Sequence, residues 1–161
     1  MTMLINEDGR FSELFRAYQS TEYRVLADEP FSMCVGKRCL EIKRILEKSL
    51  VNSAVFITAF NPLSEKLSDE ENVARLFQME QEIKAMGYQV IDGIGIGQDS
   101  VTAWTEQSLL VLGMTESEAD SLSSRYEQNA YVLVTSDCIP TLIADFGDGV
   151  QLRSSHSTLT V

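Results

Sequence analysis

An α/β (α+β) domain, built as a mixed β-sheet with three to four helices, is the fold class this sequence predicts, on three observations. Two apolar, β-rich runs, Ser53–Phe60 and Ser108–Met114, have the character of strands covered on both faces. Two capping boxes, Ser68-Asp-Glu-Glu71 and Thr115-Glu-Ser-Glu118, each open a helix between strands. Third, 161 residues with 44% hydrophobic and 23% charged composition suit one ordinary globular domain.

The predicted order is α-β-β-α-β-α-β-β-α-β-β. Phe11, Leu14, Phe15 and Tyr18 recur at helical spacing and mark a short first helix. Tyr23–Leu26 and Phe31–Val35, joined by Ala-Asp-Glu-Pro, read as a hairpin. Lys37–Leu50 follows as an amphipathic helix. Ser53–Phe60 is the candidate central strand, and Asn61-Pro62 forces a turn because proline lacks an amide donor and keeps Asn61 out of the helical region. The helix from Ser68 is expected to turn Val73, Leu76, Phe77, Glu80 and Ile83 inward and to end at Gly87. Tyr88–Gly97 and Ser108–Met114 are strands around a polar loop that includes Asp99 and Trp104. A helix then presents Ala119, Leu122 and Tyr126 inward, and strands at Ala130–Thr135 and Pro140–Ala144 complete the set. From Ser53 this order fits a split βαβ unit, and it also fits a mixed sheet covered on both faces. Residues 1–150 are expected to form a single domain, and the Ser/Thr-rich segment 151–161 a flexible tail.

Composition excludes several classes of function. A net charge of −11 repels phosphate backbones and anionic headgroups, so no nucleic acid is expected as a partner. The start of the chain lacks the basic and apolar regions of a signal peptide, and no run approaches the length of a bilayer span. A cytoplasmic location without a membrane partner is therefore expected. Cys34, Cys39 and Cys138 show no CxxC spacing and have only His156 as an imidazole companion, so no metal is expected. His156 also sits in the tail, where histidine-based catalysis is improbable. Gly93, Gly95 and Gly97 alternate with isoleucines, but no helix opens after them to aim amides at a phosphate. They read as side-chain-free strand positions beside a neighbouring backbone, and no cofactor is expected. Cys39 reads as a buried apolar thiol. The acidic group Glu65, Asp69, Glu70 and Glu71 reads as the complement of a helix dipole.

More informative are polar residues where strands end: Thr58, Asn61 and Ser64, then Glu106 and Ser108, then Gln128 and Asn129. Ligands in α/β sheets gather beyond strand ends, so this placement suits a pocket. Phe56-Ile-Thr-Ala-Phe-Asn-Pro62 with Ser64, then Ser68 and Glu71-Asn72, then Glu106–Gly113 (EQSLLVLG) and Gln128-Asn-Ala130 together resemble an uncharacterised bacterial family of unknown function. The resemblance runs from about Tyr23 to Ile143. It departs from that family's pattern at Ala103-Trp104-Thr105, where a proline-rich approach to the glutamate is usual. It implies that Asn61, Ser64, Glu71, Asn72, Glu106 and Gln128 belong to a hallmark set and converge.

Three functions from different classes follow. The first is a binding domain in which Asn61, Ser64, Asn72, Gln128 and Asn129 hold a polar small molecule, such as a nucleotide-like metabolite. The second is a hydrolase or transferase with Glu71 and Glu106 as catalytic acid and base, which requires both in one cleft. The third is a protein-interaction or regulatory domain that uses the acidic C-terminal half.

Overall fold

The computed structural model describes residues 10–98, 104–147 and 149–155. The elements follow the predicted order with one strand added. Helix α1 (Arg10–Gln19) precedes the hairpin β1 (Glu22–Val25) and β2 (Phe31–Met33). Helix α2 (Leu40–Ser49), strand β3 (Ala54–Ile57), helix α3 (Asp69–Ala85), and strands β4 (Gln89–Ile96) and β5 (Thr105–Leu112) come next. Helix α4 (Glu116–Arg125) and strands β6 (Ala130–Val134), β7 (Thr141–Asp145) and β8 (Gln151–Ser154) complete the chain.

All eight strands form one sheet in the order β2-β1-β4-β5-β3-β6-β7-β8. Every pairing is antiparallel, which corrects the expectation of a mixed sheet. The physical reason is the split βαβ unit. Strands β3 and β4, joined through α3, run in the same direction, but β5 inserts between them and pairs antiparallel with both.

Strand β3 is buried along its whole length, with β5 on one side and β6 on the other, as a continuous apolar run requires. Successive side chains alternate between two cores. Val55 and Ile57 meet Leu76, Met79 and Ile83 of α3 and Leu122 of α4. Ala54 and Phe56 point the other way, into a core shared with Phe15 of α1 and with Ile42 and Leu46 of α2. Both faces of the sheet are therefore covered by helices.

Local chemistry sets the helix ends. The Ser68 hydroxyl accepts from the Glu71 amide, and Thr115 and Glu118 form a complete reciprocal box. Leu50 ends α2 in the left-handed region at φ 57°.

Two sequence expectations are corrected. Helix α3 buries Asn72, Leu76, Met79 and Ile83, whereas Val73 and Phe77 are 46% and 65% exposed. The apolar pattern alone misplaces the inner face, because a polar residue, Asn72, holds a buried position. The segment expected as a flexible tail from Gln151 instead begins with β8, which pairs with β7 and buries Leu152 and Ser154. Its alternation of buried and exposed residues is carried by that one leucine among polar neighbours. The remainder of that segment, 156–161, lies outside the described residues.

The rotated face of α3 predicts a sharp contrast in urea denaturation. Met79→Ala is expected to lose about 2–5 kcal/mol by opening a cavity, whereas Phe77→Ala should change stability by no more than about 0.5 kcal/mol.

Candidate functional site

The site is built where β3 ends. The Thr58 hydroxyl donates to the Gln107 carbonyl at 2.7 Å and accepts from the Phe60 amide at 3.1 Å, which turns the chain away from the sheet. A 3-10 turn at Pro62–Ser64 follows, in which Asn61, Leu63 and Ser64 all have positive φ, at 49°, 53° and 61°. Asparagine tolerates this region, but leucine and serine enter it at a cost on the order of 1–3 kcal/mol each. The turn persists because surrounding groups fix it. The Leu63 amide donates to the Glu127 carbonyl at 2.6 Å. Gln128 Nε2 donates to the Phe60 carbonyl at 3.0 Å. Asn129 Nδ2 donates to Ser64 Oγ at 2.8 Å, and the Tyr18 hydroxyl lies 2.9 Å from the same oxygen.

An interlock of two asparagines anchors the base of the turn. Asn72 Nδ2 donates to Asn61 Oδ1 at 2.8 Å, and Asn72 Oδ1 accepts from the Asn61 backbone amide at 2.8 Å. Asn61 Oδ1 also accepts from the Leu67 amide at 3.0 Å. With its oxygen so occupied, Asn61 turns Nδ2 toward Glu106 and donates to Oε2 at 2.8 Å. Arg75, one turn further along α3, donates from Nε to the Ala59 carbonyl at 2.8 Å and stacks its guanidinium 5.7 Å from the Tyr126 ring centroid.

Between this wall, the sheet and α1 lies a cavity of about 850 Å³. Its floor is the sheet face that turns toward α1, where Tyr23, Gly95 and Glu106 stand opposite one another on β1, β4 and β5. Phe56 and Val132 extend the floor, and Leu14, Ala17 and Tyr18 of α1 form the far side. Burial pushes the Glu106 carboxyl up to about 7, with the Asn61 hydrogen bond opposing that rise. Among the described residues, Asn61 is the sole side chain that donates to the Glu106 carboxyl, at Oε2.

Asn61, Ser64, Asn72, Glu106, Gln128 and Asn129 all line this cavity. Their amides are largely committed to the turn and to one another, so most of the set builds the wall. Glu71 stands apart. It is exposed at the start of α3, bonded to Ser68, and does not reach the cavity. Cys39 is buried, and burial pushes its thiol up, away from activation. No cluster of His, Cys, Asp or Glu suited to a metal occurs among the described residues. Asp99 and His156 lie outside them.

The lining also includes residues that the sequence did not mark as site residues, among them Tyr18, Tyr23, Gly95 and Trp104. The glycine alternation was the available signal. A Cβ on Gly93 would lie 2.6 Å from Phe56 Cε2 and 3.0 Å from the Arg24 carbonyl on the neighbouring strand, and one on Gly97 2.5 Å from Trp104 Nε1, so both positions lodge aromatic rings and Gly93 a neighbouring backbone as well. Gly95 differs, because its nearest neighbour, Trp104 Cζ3, would be 3.6 Å away.

Two predictions follow from these distances and are read by chemical denaturation. Gly97→Ala and Gly93→Ala should each lose about 1–3 kcal/mol by displacing a ring, with Gly95→Ala close to the parent. Asn72→Ala strands the Asn61 amide and should cost about 1–3 kcal/mol, against a few tenths for the exposed Val73→Ala.

Searches of curated proteins and of solved structures find no match to the chain. Residues 57–131, the stretch that runs from the last residue of β3 into β6 and carries every residue of the Asn61–Asn72–Glu106 wall, match the family described as Protein of unknown function (DUF3293).

Proposed function

We propose that this chain is a binding domain for a small polar molecule that is neutral or cationic, with Glu106 as its anchor. The observation that carries the proposal is the cavity of about 850 Å³ in which a partly titrating carboxyl is the charged group of the floor. Its volume falls within the roughly 300–1,000 Å³ usual for small-molecule sites, and apolar and aromatic surface is combined with a few fixed polar groups. Among the described residues, the charged side chains around it are Glu13, Asp69 and Glu106 against the single cation Lys66. That balance disfavours a phosphate-bearing ligand, which would need more cations or free amides. The carboxylate-pair enzyme loses its second member, because Glu71 caps α3 outside the cavity.

The test is a ligand-observed NMR and thermal-shift screen of small amines, amides and heterocycles against the parent and Glu106→Gln. Binding that is abolished in Glu106→Gln supports the proposal. Hits that bind both proteins equally, or no hit at millimolar concentration, would overturn it.

The raised Glu106 carboxyl also predicts a pH dependence. In the unfolded chain this group titrates near the ordinary 4.5, and in the folded protein at about 7. Between those values the folded state holds the extra proton, so this group's contribution to stability is greatest at low pH. It is lost as pH rises from about 4.5 through 7. The loss is at most about 3 kcal/mol. Glu106→Gln should flatten that part of the stability profile and be the more stable protein at pH 8, measured by urea denaturation across pH. A cationic ligand, which needs the ionised carboxylate, should bind more tightly as pH rises through about 7.

A further inference from the structure

Around Gly95 the floor of the cavity is framed on four sides. Along β4, the Phe56 ring lies over Gly93 and the Trp104 indole over Gly97. Across the sheet, Tyr23 stands opposite Gly95 on β1 and Glu106 opposite it on β5. Trp104 Nε1, Cε2 and Cδ1 would be 2.5, 2.6 and 2.8 Å from a Cβ on Gly97. Such similar distances to three successive atoms mean that the indole lies face-on over that glycine, flat against the sheet. Trp104 also lines the cavity, and Cζ3 borders the Gly95 position. Tyr23 meets Phe56 edge-to-face at 5.3 Å, which fixes the opposite rim.

Gly95 has an ordinary strand backbone, so conformational freedom does not account for it, and unlike Gly93 and Gly97 it lodges no ring. A side chain there would fit its immediate neighbours and occupy the cavity. We propose that bare Gly95 is the ligand subsite itself, a flat slot that takes a planar, nitrogen-bearing aromatic ring against Trp104 and aims the ring's N–H donors at Glu106. This rests on the binding reading above and narrows it to one chemical class. Planar rings match the aromatic rim, an amidine-like edge matches the two carboxylate oxygens, and positive charge on the ring is favoured by both. Aliphatic polar molecules of equal charge gain only the carboxylate.

Benzamidine is the probe, with cyclohexanecarboxamidine as its non-planar counterpart and benzoate as its anionic one, titrated by two-dimensional NMR at pH 8. Benzamidine is expected to shift the amides of Gly95, Trp104 and Glu106. Its affinity should exceed that of cyclohexanecarboxamidine at least tenfold and fall at least tenfold in both Gly95→Val and Glu106→Gln. Benzoate should not bind. Valine suits a strand, and circular dichroism will show whether that variant is folded. If it is not, Trp104→Leu carries the same expectation. Equal binding of the two amidines, or benzamidine binding unchanged in Gly95→Val but lost in Glu106→Gln, overturns the planar slot and leaves the anchored cavity standing. Failure of all three probes, together with an empty amine and heterocycle screen, overturns both.

Discussion

The architecture of the site depends on the asparagine interlock between the end of the central strand and the second turn of α3. Two hydrogen bonds use both ends of the Asn72 amide, the Asn61 oxygen and the Asn61 backbone amide, and a third joins them from the Leu67 amide to the same oxygen. A hydrogen bond contributes only about 1 kcal/mol net, but a buried amide left without a partner costs about 1–3 kcal/mol. The pair therefore acts as a constraint more than as a source of stability. Any rotation of α3 or relaxation of the turn would strand several groups at once. That all-or-none character is what allows Leu63 and Ser64 to remain at positive φ.

The same constraint explains which parts of the fold were legible in the sequence. Strands β3 and β5, the helix N-caps at Ser68 and Thr115 and the break at Asn61-Pro62 are local features, and each stands close to where its residues place it, although the reciprocal box is complete only at Thr115, since Glu71 bonds the Ser68 hydroxyl and not its amide. The inner face of α3 is not local. Val73, Leu76, Phe77 and Ile83 make a plausible apolar stripe, yet the helix is turned so that Asn72 points inward, leaving Val73 and Phe77 exposed. Hydrophobic periodicity cannot register a polar residue whose partner lies 11 positions away on another element.

For the site, convergence was legible and division of labour was not. The polar residues at strand ends line one cavity, although the sequence suggested that the amides themselves would face a ligand. In the structure Gln128 and Asn129 hold the turn through the Phe60 carbonyl and the Ser64 hydroxyl. The floor, in contrast, sets Glu106 beside Tyr23, which carries no signal in the sequence, and Gly95, and the three meet only because β1 and β5 flank β4. Glycine alternation reported a need for space without saying which rings would fill it.

These two levels meet at Glu106. Its carboxyl sits on a desolvated floor in a chain of net charge −11, so every general influence disfavours ionisation. The counterweight is one N–H, Asn61 Nδ2, and that group faces Glu106 because Asn61 Oδ1 is already bound by Leu67 and Asn72. An asparagine amide free to flip would present oxygen to the carboxylate in one of its two orientations and push the carboxyl higher still. The interlock removes that choice. It thereby fixes not only the shape of the wall but also the proton affinity of the floor, and Asn72, which does not touch Glu106, controls through Asn61 how readily the cavity presents a negative charge near neutral pH.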